Sequence, residues 1–255
     1  MAAAPWTRES EAVGVVDGMS WQTKIFRYCE RGGDPSFWAE PLNAVSNAAF
    51  LISALAAAVM LARSRSAREA LVEWALVLVL AAIGIGSFLF HTFATRWAAI
   101  ADVAPIGIFM HLYLAYALRR LLGLPWLVVG AGLGAFVLAM QFADGVECRS
   151  TLLSVTAAAR GPCLNGTAGY VPAFGAMLLV GVAALAKGHR SAGWLLGAAA
   201  VFLVSMFFRT VDWEFCALTR VAGRALGTHF LWHLLNATTL YLLMVAAIRH
   251  GRPVR

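Results

Sequence analysis

Charge is what this sequence has least of. Of its 255 residues only 13% are Asp, Glu, Lys or Arg, against 61% hydrophobic. A soluble domain of this length needs far more polar surface, so the composition excludes one and indicates an integral membrane protein. Acids are scarcer than bases, 13 against 20, which leaves a net charge of +7. In a soluble chain that excess would suggest a nucleic-acid partner. Here the bases sit in short connectors between apolar runs, the pattern of cytoplasmic loops. No nucleic-acid partner is expected, and no obligatory protein partner is evident. Residues 1–40 lack the apolar h-region of a secretory signal, so the first apolar segment is expected to insert directly. Internal repeats are missing too, and cysteine is rare, with four in the chain.

What the chain does have is apolar length. Seven stretches, near 43–62, 71–93, 101–119, 126–142, 170–186, 192–209 and 229–248, approach the ~20 residues that cross a bilayer as a helix. The expected fold class is all-α, an integral membrane bundle of seven transmembrane helices. The chain divides into an exoplasmic, partly ordered N-terminal segment (1–42), a helical core (43–248) and a basic cytoplasmic tail (249–255). The connectors after segments one, three and five, and the tail, are short and dense in bases. They hold Arg63, Arg65 and Arg68, then Arg119 and Arg120, then Lys187 and Arg190, then Arg249, Arg252 and Arg255. On the opposite side the bases are spread over long, acid-containing stretches, so the dense set is expected to face the cytoplasm. That puts the N-terminus outside and the C-terminus inside. Cys29, Cys148, Cys163 and Cys216 then all fall on the exoplasmic side, where disulfides persist. Four cysteines allow three connectivities, and spacing does not choose among them.

The stretch GSFLFHTFATRWAAIAD, residues 86–102, carries three groups that hydrocarbon disfavours. Ser87 and His91 are four apart, so on a helix they share a face. Segment two runs outward, which puts His91 near its exoplasmic end, and Asp102 opens segment three on the same side. Segment seven begins with THFLWH, where His229 and His233 are again four apart. Placing an Asp at mid-membrane costs ~2.5–3.5 kcal/mol, so such groups normally face the bundle interior and a polar cavity. A metal offsets the cost. Three neutral imidazoles and a water make a tetrahedral zinc site with one exchangeable position. HFLWH has the ligand spacing of HExxH proteases without their glutamate base, which leaves Asp102 as the nearest base by membrane depth. The HxxxH pair alone reads more readily as buried structural histidines; the whole constellation favours a metal.

Other polar groups sort by the same geometry. His111 lies half a turn out of phase with Asp102 and is expected to pack or hydrogen-bond. His189 and His250 fall in connectors and are expected to be solvated. Asn43, Ser46 and Asn47 form one polar face directed into the bundle, for helix packing or for catalysis. Asn236 is a candidate partner of His233 behind the metal. Glu73 is expected to snorkel or to pair with an arginine, and Trp and Tyr near segment ends read as an interfacial belt. Asn165-Gly166-Thr167 is an exoplasmic sequon, a short match that arises readily by chance.

Three blocks, CERGGDPSFWAEPLNAVSN, GSFLFHTFATRWAAIAD and THFLWHLLNATTLYL, together resemble the alkaline ceramidases, within the heptahelical zinc hydrolases that include the adiponectin receptors. The resemblance implies zinc on His91, His229 and His233, with Ser87 and Asp102 as the active-site serine and aspartate. It implies hydrolysis of the amide of ceramide, or of a related membrane lipid, to a long-chain base and a fatty acid. It also implies an exoplasmic calcium site, for which Glu30 and Glu40 match and Asp34 could substitute, although Arg27 stands where an aspartate is usual. A family disulfide corresponds to Cys29 with Cys216, leaving Cys148 with Cys163.

The chemistry agrees with that assignment. Zinc brings the pKa of bound water from ~15.7 toward ~7, supplying a nucleophile at neutral pH. Asp102 would move the proton to the departing amine, and Ser87 would donate to the oxyanion. The competing readings are a heptahelical receptor-like protein with a structural metal and a transporter; the latter would show broken helices in paired halves, and none is visible. The Ala-, Gly- and Arg-rich composition points to a GC-rich bacterial genome. In a bacterium the expected location is the inner membrane, multi-pass, with the site toward the periplasm.

Overall fold

The computed structural model describes residues 20–64, 70–146 and 163–251. Seven helices are long and apolar enough to cross a membrane: α1 (Pro41–Ser64), α2 (Leu71–Phe93), α3 (Arg96–Leu121), α4 (Trp126–Asp144), α5 (Cys163–Ala186), α6 (Ala192–Thr210) and α7 (His229–His250). The protein is thus a multi-pass membrane bundle, as composition predicts. Arg65, Arg68, Cys148, Arg252 and Arg255 lie outside the described residues.

Three helix ends have a clear local cause. Pro41 opens α1 in the first turn, where its missing N–H removes nothing from the helix. Pro125, held extended, precedes α4. Ala94 ends α2 in a left-handed conformation, φ 48°, and its N–H returns to the Phe90 carbonyl. A tight two-residue connector then leads into α3.

Neighbours in sequence are neighbours in space, and α7 packs back against α1, so the seven helices close a ring. A run of alanines and leucines from α1, α2, α6 and α7 fills its lower core. Apolar side chains on the outside, such as Leu127 at 86% and Phe142 at 78% exposure on α4, are positioned to face lipid. Two rings cross-tie the half of the bundle distant from the N-terminal segment. Tyr113 donates to the Leu243 carbonyl, and Tyr116 to Glu73 and the Ala247 carbonyl. Glu73 therefore does not snorkel; it is buried beside the Tyr116 hydroxyl.

On the opposite face the N-terminal segment lies over the α2–α3 connector. Ile25 N–H reaches the Ala94 carbonyl and Arg96 N–H the Thr23 carbonyl. The α6–α7 connector holds a short hairpin, β1 (Arg220–Val221) with β2 (Arg224–Ala225). A disulfide between Cys29 and Cys216, 187 positions apart, fastens the N-terminal segment to that connector. Cys163 is also disulfide-bonded; Cys148, its expected partner, lies outside the described residues.

Two boundaries differ from the sequence reading. Helix α3 begins at Arg96, so Asp102 lies six residues inside it, about 9 Å along the axis at ~1.5 Å per residue, and does not open it. Helix α5 is entered through a tight turn from Cys163 in which Leu164 and Asn165 have positive φ. Asn165 uses its side-chain N–H on the Thr210 carbonyl, 2.7 Å away, and Thr167 is buried. The sequon is a structural tie between α5 and α6.

Candidate metal centre

His91, His229 and His233 meet at the end of the bundle beneath the N-terminal segment. Each presents a ring nitrogen, and the three nitrogens lie within 4.8 Å of one another. All three side chains are buried, at 1%, 1% and 2% exposure. Helical spacing brings His229 and His233 to one face of α7, while packing of α2 against α7 delivers His91.

The ring tautomers follow from their partners. His91 Nδ1 is 2.5 Å from Glu40 Oε2; an ionised carboxylate only accepts, so the imidazole donates and its Nε2 carries a lone pair. Ser46 gives its one proton to the Asn43 carbonyl at 2.9 Å, so its oxygen accepts from His233 Nδ1 at 2.7 Å. That again frees Nε2. The buried His91 Nε2 and His229 Nδ1 have no hydrogen-bond partner among the described residues. Buried polar atoms without partners are costly, and a cation bound by three neutral imidazoles removes the cost. The donor set fits zinc: three histidines, with a carboxylate and a hydroxyl orienting two of them from behind.

Helix α7 is held at its start by Asp212, which accepts from the backbone N–H groups of Cys29, Thr228 and His229 at 2.9, 2.7 and 2.9 Å. Burial pushes the Asp212 carboxyl up, against the pull of those three N–H groups. Gly227 permits this arrangement; its φ is +66°, and a Cβ there would meet Asp212 and Cys29. Tyr28, adjacent to the disulfide, stacks on His229 with ring centroids 3.7 Å apart. Burial raises its hydroxyl to about 12, so it is protonated at neutral pH.

Ser87 of α2 and Asp102 of α3 lie close together across the seam of the two helices, the serine near enough to act on the carboxylate. Gly86 makes the approach possible: a Cβ on it would collide with the Ala101 carbonyl of α3. Both residues line a cavity that also reaches His229 and His233 and continues along an apolar wall to Phe109, Leu243 and Leu195. Asn236 lines the cavity as well, but among the described residues it makes no hydrogen bond to a histidine. Ser46 and Glu40 occupy that role instead.

The three residues of the calcium expectation each have partners within the protein. Glu30 accepts from the backbone N–H groups of Leu42 and Asn43, both at 2.8 Å, and burial raises its carboxyl despite them. Asp34 is exposed and caps Ser36 N–H, a contact that lowers its carboxyl. Glu40 pairs with Arg31, whose Nε is 2.5 Å from Oε1. Burial works to raise Glu40, but the His91 imidazole and the Arg31 guanidinium prevail and hold it below the usual carboxylate range. Arg31 also donates to the carbonyls of Asp34, Ser36, His91 and Thr92. A cation of the chain's own, Arg31, thus sits against Glu40 and the loop carbonyls, and among the described residues the three acids do not form a metal-holding cluster.

Other histidines stand apart from the centre. His111 donates within its own helix to the Gly107 carbonyl and packs its ring edge-on to Phe136. His189 is half-buried against Ser191, not fully solvated, and His250 is half-buried. Sequence reasoning overlooked Arg31, which reads as an ordinary loop charge, and Arg209. The second left only a faint signal: a lone cation at the end of the apolar run FLVSMFFRT. Tyr170 and Trp232, taken as belt residues, surround Arg209 together with Tyr28.

Seven apolar spans enclosing a buried three-histidine cluster, with a cavity running from it into the core, define a membrane protein of the metal-centre class. The ceramidase family model matches residues 26–250, and the chain belongs to that family. No curated protein gives a match to it.

Proposed function

We propose that this protein hydrolyses the amide bond of a membrane lipid, ceramide or a related N-acyl lipid, to a long-chain base and a fatty acid. The observation that carries the proposal is the union of two features: three buried imidazoles whose ring nitrogens converge, and a cavity that joins two of them, His229 and His233, to Ser87, Asp102 and an apolar channel. His91, His229 and His233 would hold zinc, which when bound polarises a carbonyl and brings water's pKa from ~15.7 toward ~7.

The chain's own groups do the rest. Asp102 accepts a proton from the attacking water and returns it to the amide nitrogen, so the amine leaves neutral and the acyl half leaves as an acid. Ser87 holds Asp102 in position and turns its hydroxyl toward the carbonyl oxygen as negative charge develops there. Glu40 and Ser46 keep the His91 and His233 rings in the tautomer that presents Nε2. The apolar wall takes the lipid chains, each buried CH₂ contributing about 0.8 kcal/mol. We place this site on the exoplasmic side, a reading supported by the Cys29–Cys216 disulfide on the same face, since such bonds persist in oxidising compartments.

The test is turnover of a fluorescent ceramide by purified protein. Fatty-acid release should stop with a chelator and return with zinc. Full turnover by His233→Ala would overturn the metal assignment. Bound zinc without turnover of any amide lipid would favour a receptor-like protein with a structural metal.

A further inference from the structure

The cavity has a second polar pole, one aromatic ring away from the histidines. Arg209, near the end of α6, is only 8% exposed, an expensive position for a guanidinium. Its central carbon lies 4.9 Å from the Trp232 ring centroid, 5.2 Å from Tyr170 and 5.9 Å from Tyr28. Those rings satisfy the faces of the guanidinium plane, not its N–H groups. Nη1 donates to the Tyr28 hydroxyl at 3.3 Å, while the buried Nε has no partner. Among the described residues no carboxylate forms an ion pair with it.

The balance of charge around the cavity points the same way. The charged side chains that line it are Arg27 at the exposed rim, Asp102 and Arg209. Cations outnumber acids, and the inner one keeps its Nε donor unused in the planar fork that suits carboxylate, sulfonate or phosphate.

We propose that the preferred substrate is an amide lipid whose amine half carries an anionic group, and that Arg209 binds that group. The proposal rests on the amide-hydrolase reading of the histidine centre. Tyr28 sets the spacing: its ring stacks on His229 and its hydroxyl accepts from the guanidinium. The anion therefore belongs several bonds from the scissile amide. The acyl half is directed the other way, along a wall of Phe109, Leu243 and Leu195 that has no charge to offer.

The experiment compares the N-palmitoyl amides of 4-aminobutyrate and of 4-aminobutanol, which differ in an anion for a hydroxyl, on zinc-loaded protein. The wild type should favour the anionic amide in kcat/KM by about tenfold or more, mainly through KM. Arg209→Met should bring that ratio close to one, and Arg209→Lys, which keeps the charge, should retain part of it. Equilibrium binding of the same two amides to chelated protein should show the same Arg209-dependent preference without turnover. A ratio near one in the wild type, or an unchanged ratio in Arg209→Met, overturns the proposal and leaves Arg209 as a structural cation. Arg209-dependent binding of the anionic amide with no hydrolysis of either amide would keep the anion site and sink the hydrolase reading.

Discussion

His91 Nδ1 and Glu40 Oε2 are 2.5 Å apart, and through this contact the N-terminal segment sets the orientation of a residue at the end of α2. The two positions are 51 residues apart in the chain. Glu40→Gln removes the charge that holds the imidazole with Nε2 free. Such partners behind a metal ligand are worth roughly 10–100-fold in metal affinity. A zinc competition titration of Glu40→Gln should show a loss in that range, with helical content unchanged by circular dichroism.

Arg31 is the partner that makes a buried Glu40 tolerable. Arg31→Met leaves that carboxylate without its guanidinium and four backbone carbonyls without a donor. Removing one member of a buried pair costs about 3–5 kcal/mol, so the unfolding midpoint in detergent should fall sharply. Calcium, or its chelation, should leave the wild-type midpoint unmoved, because the Arg31 guanidinium already pairs with Glu40.

Gly86→Ala tests the contact between α2 and α3. The added methyl would meet the Ala101 carbonyl, and the helices must separate where Ser87 faces Asp102. Overpacking of this kind costs about 1–3 kcal/mol. The expected kinetic result is a fall in kcat with KM little changed, since the displaced pair acts on the reacting bond and not on the lipid chains.

The Cys29–Cys216 bridge closes a long loop, 187 positions, and fixes the segment that carries Tyr28, Arg31 and Glu40. Replacing both cysteines by serine should lower stability by about 2–5 kcal/mol. Hydrogen exchange should speed up across residues 28–40 and at the start of α7, where Asp212 joins Cys29 to Thr228 and His229.

Much of this site is legible in the sequence, and for a definite reason. Four-residue spacing sets Ser87 with His91 and His229 with His233 on common helix faces before any tertiary contact is known, and the burden of polar groups in an apolar run marks them as purposeful. Glu40 shows where that reasoning stops. Read as an acid in a loop, it suits a calcium ion; packed beside Arg31 and His91, it orients an imidazole. Ser46 likewise belongs to a polar face of α1, but its bond to His233 spans 187 positions and depends on how α1 meets α7. Arg209 looks like a boundary residue at the end of an apolar run until Tyr28, Tyr170 and Trp232 are seen around it.

The amino-acid order by itself determined the seven spans and the intrahelical spacing of the chemistry-bearing residues, because helix length and periodicity are local properties of an apolar chain. Tertiary packing alone decided which ring nitrogens are free, which cation occupies the N-terminal loop and what the cavity offers a ligand. Those features arise between helices far apart in the chain, where a backbone approach such as Gly86 on Ala101 sets which side chains touch.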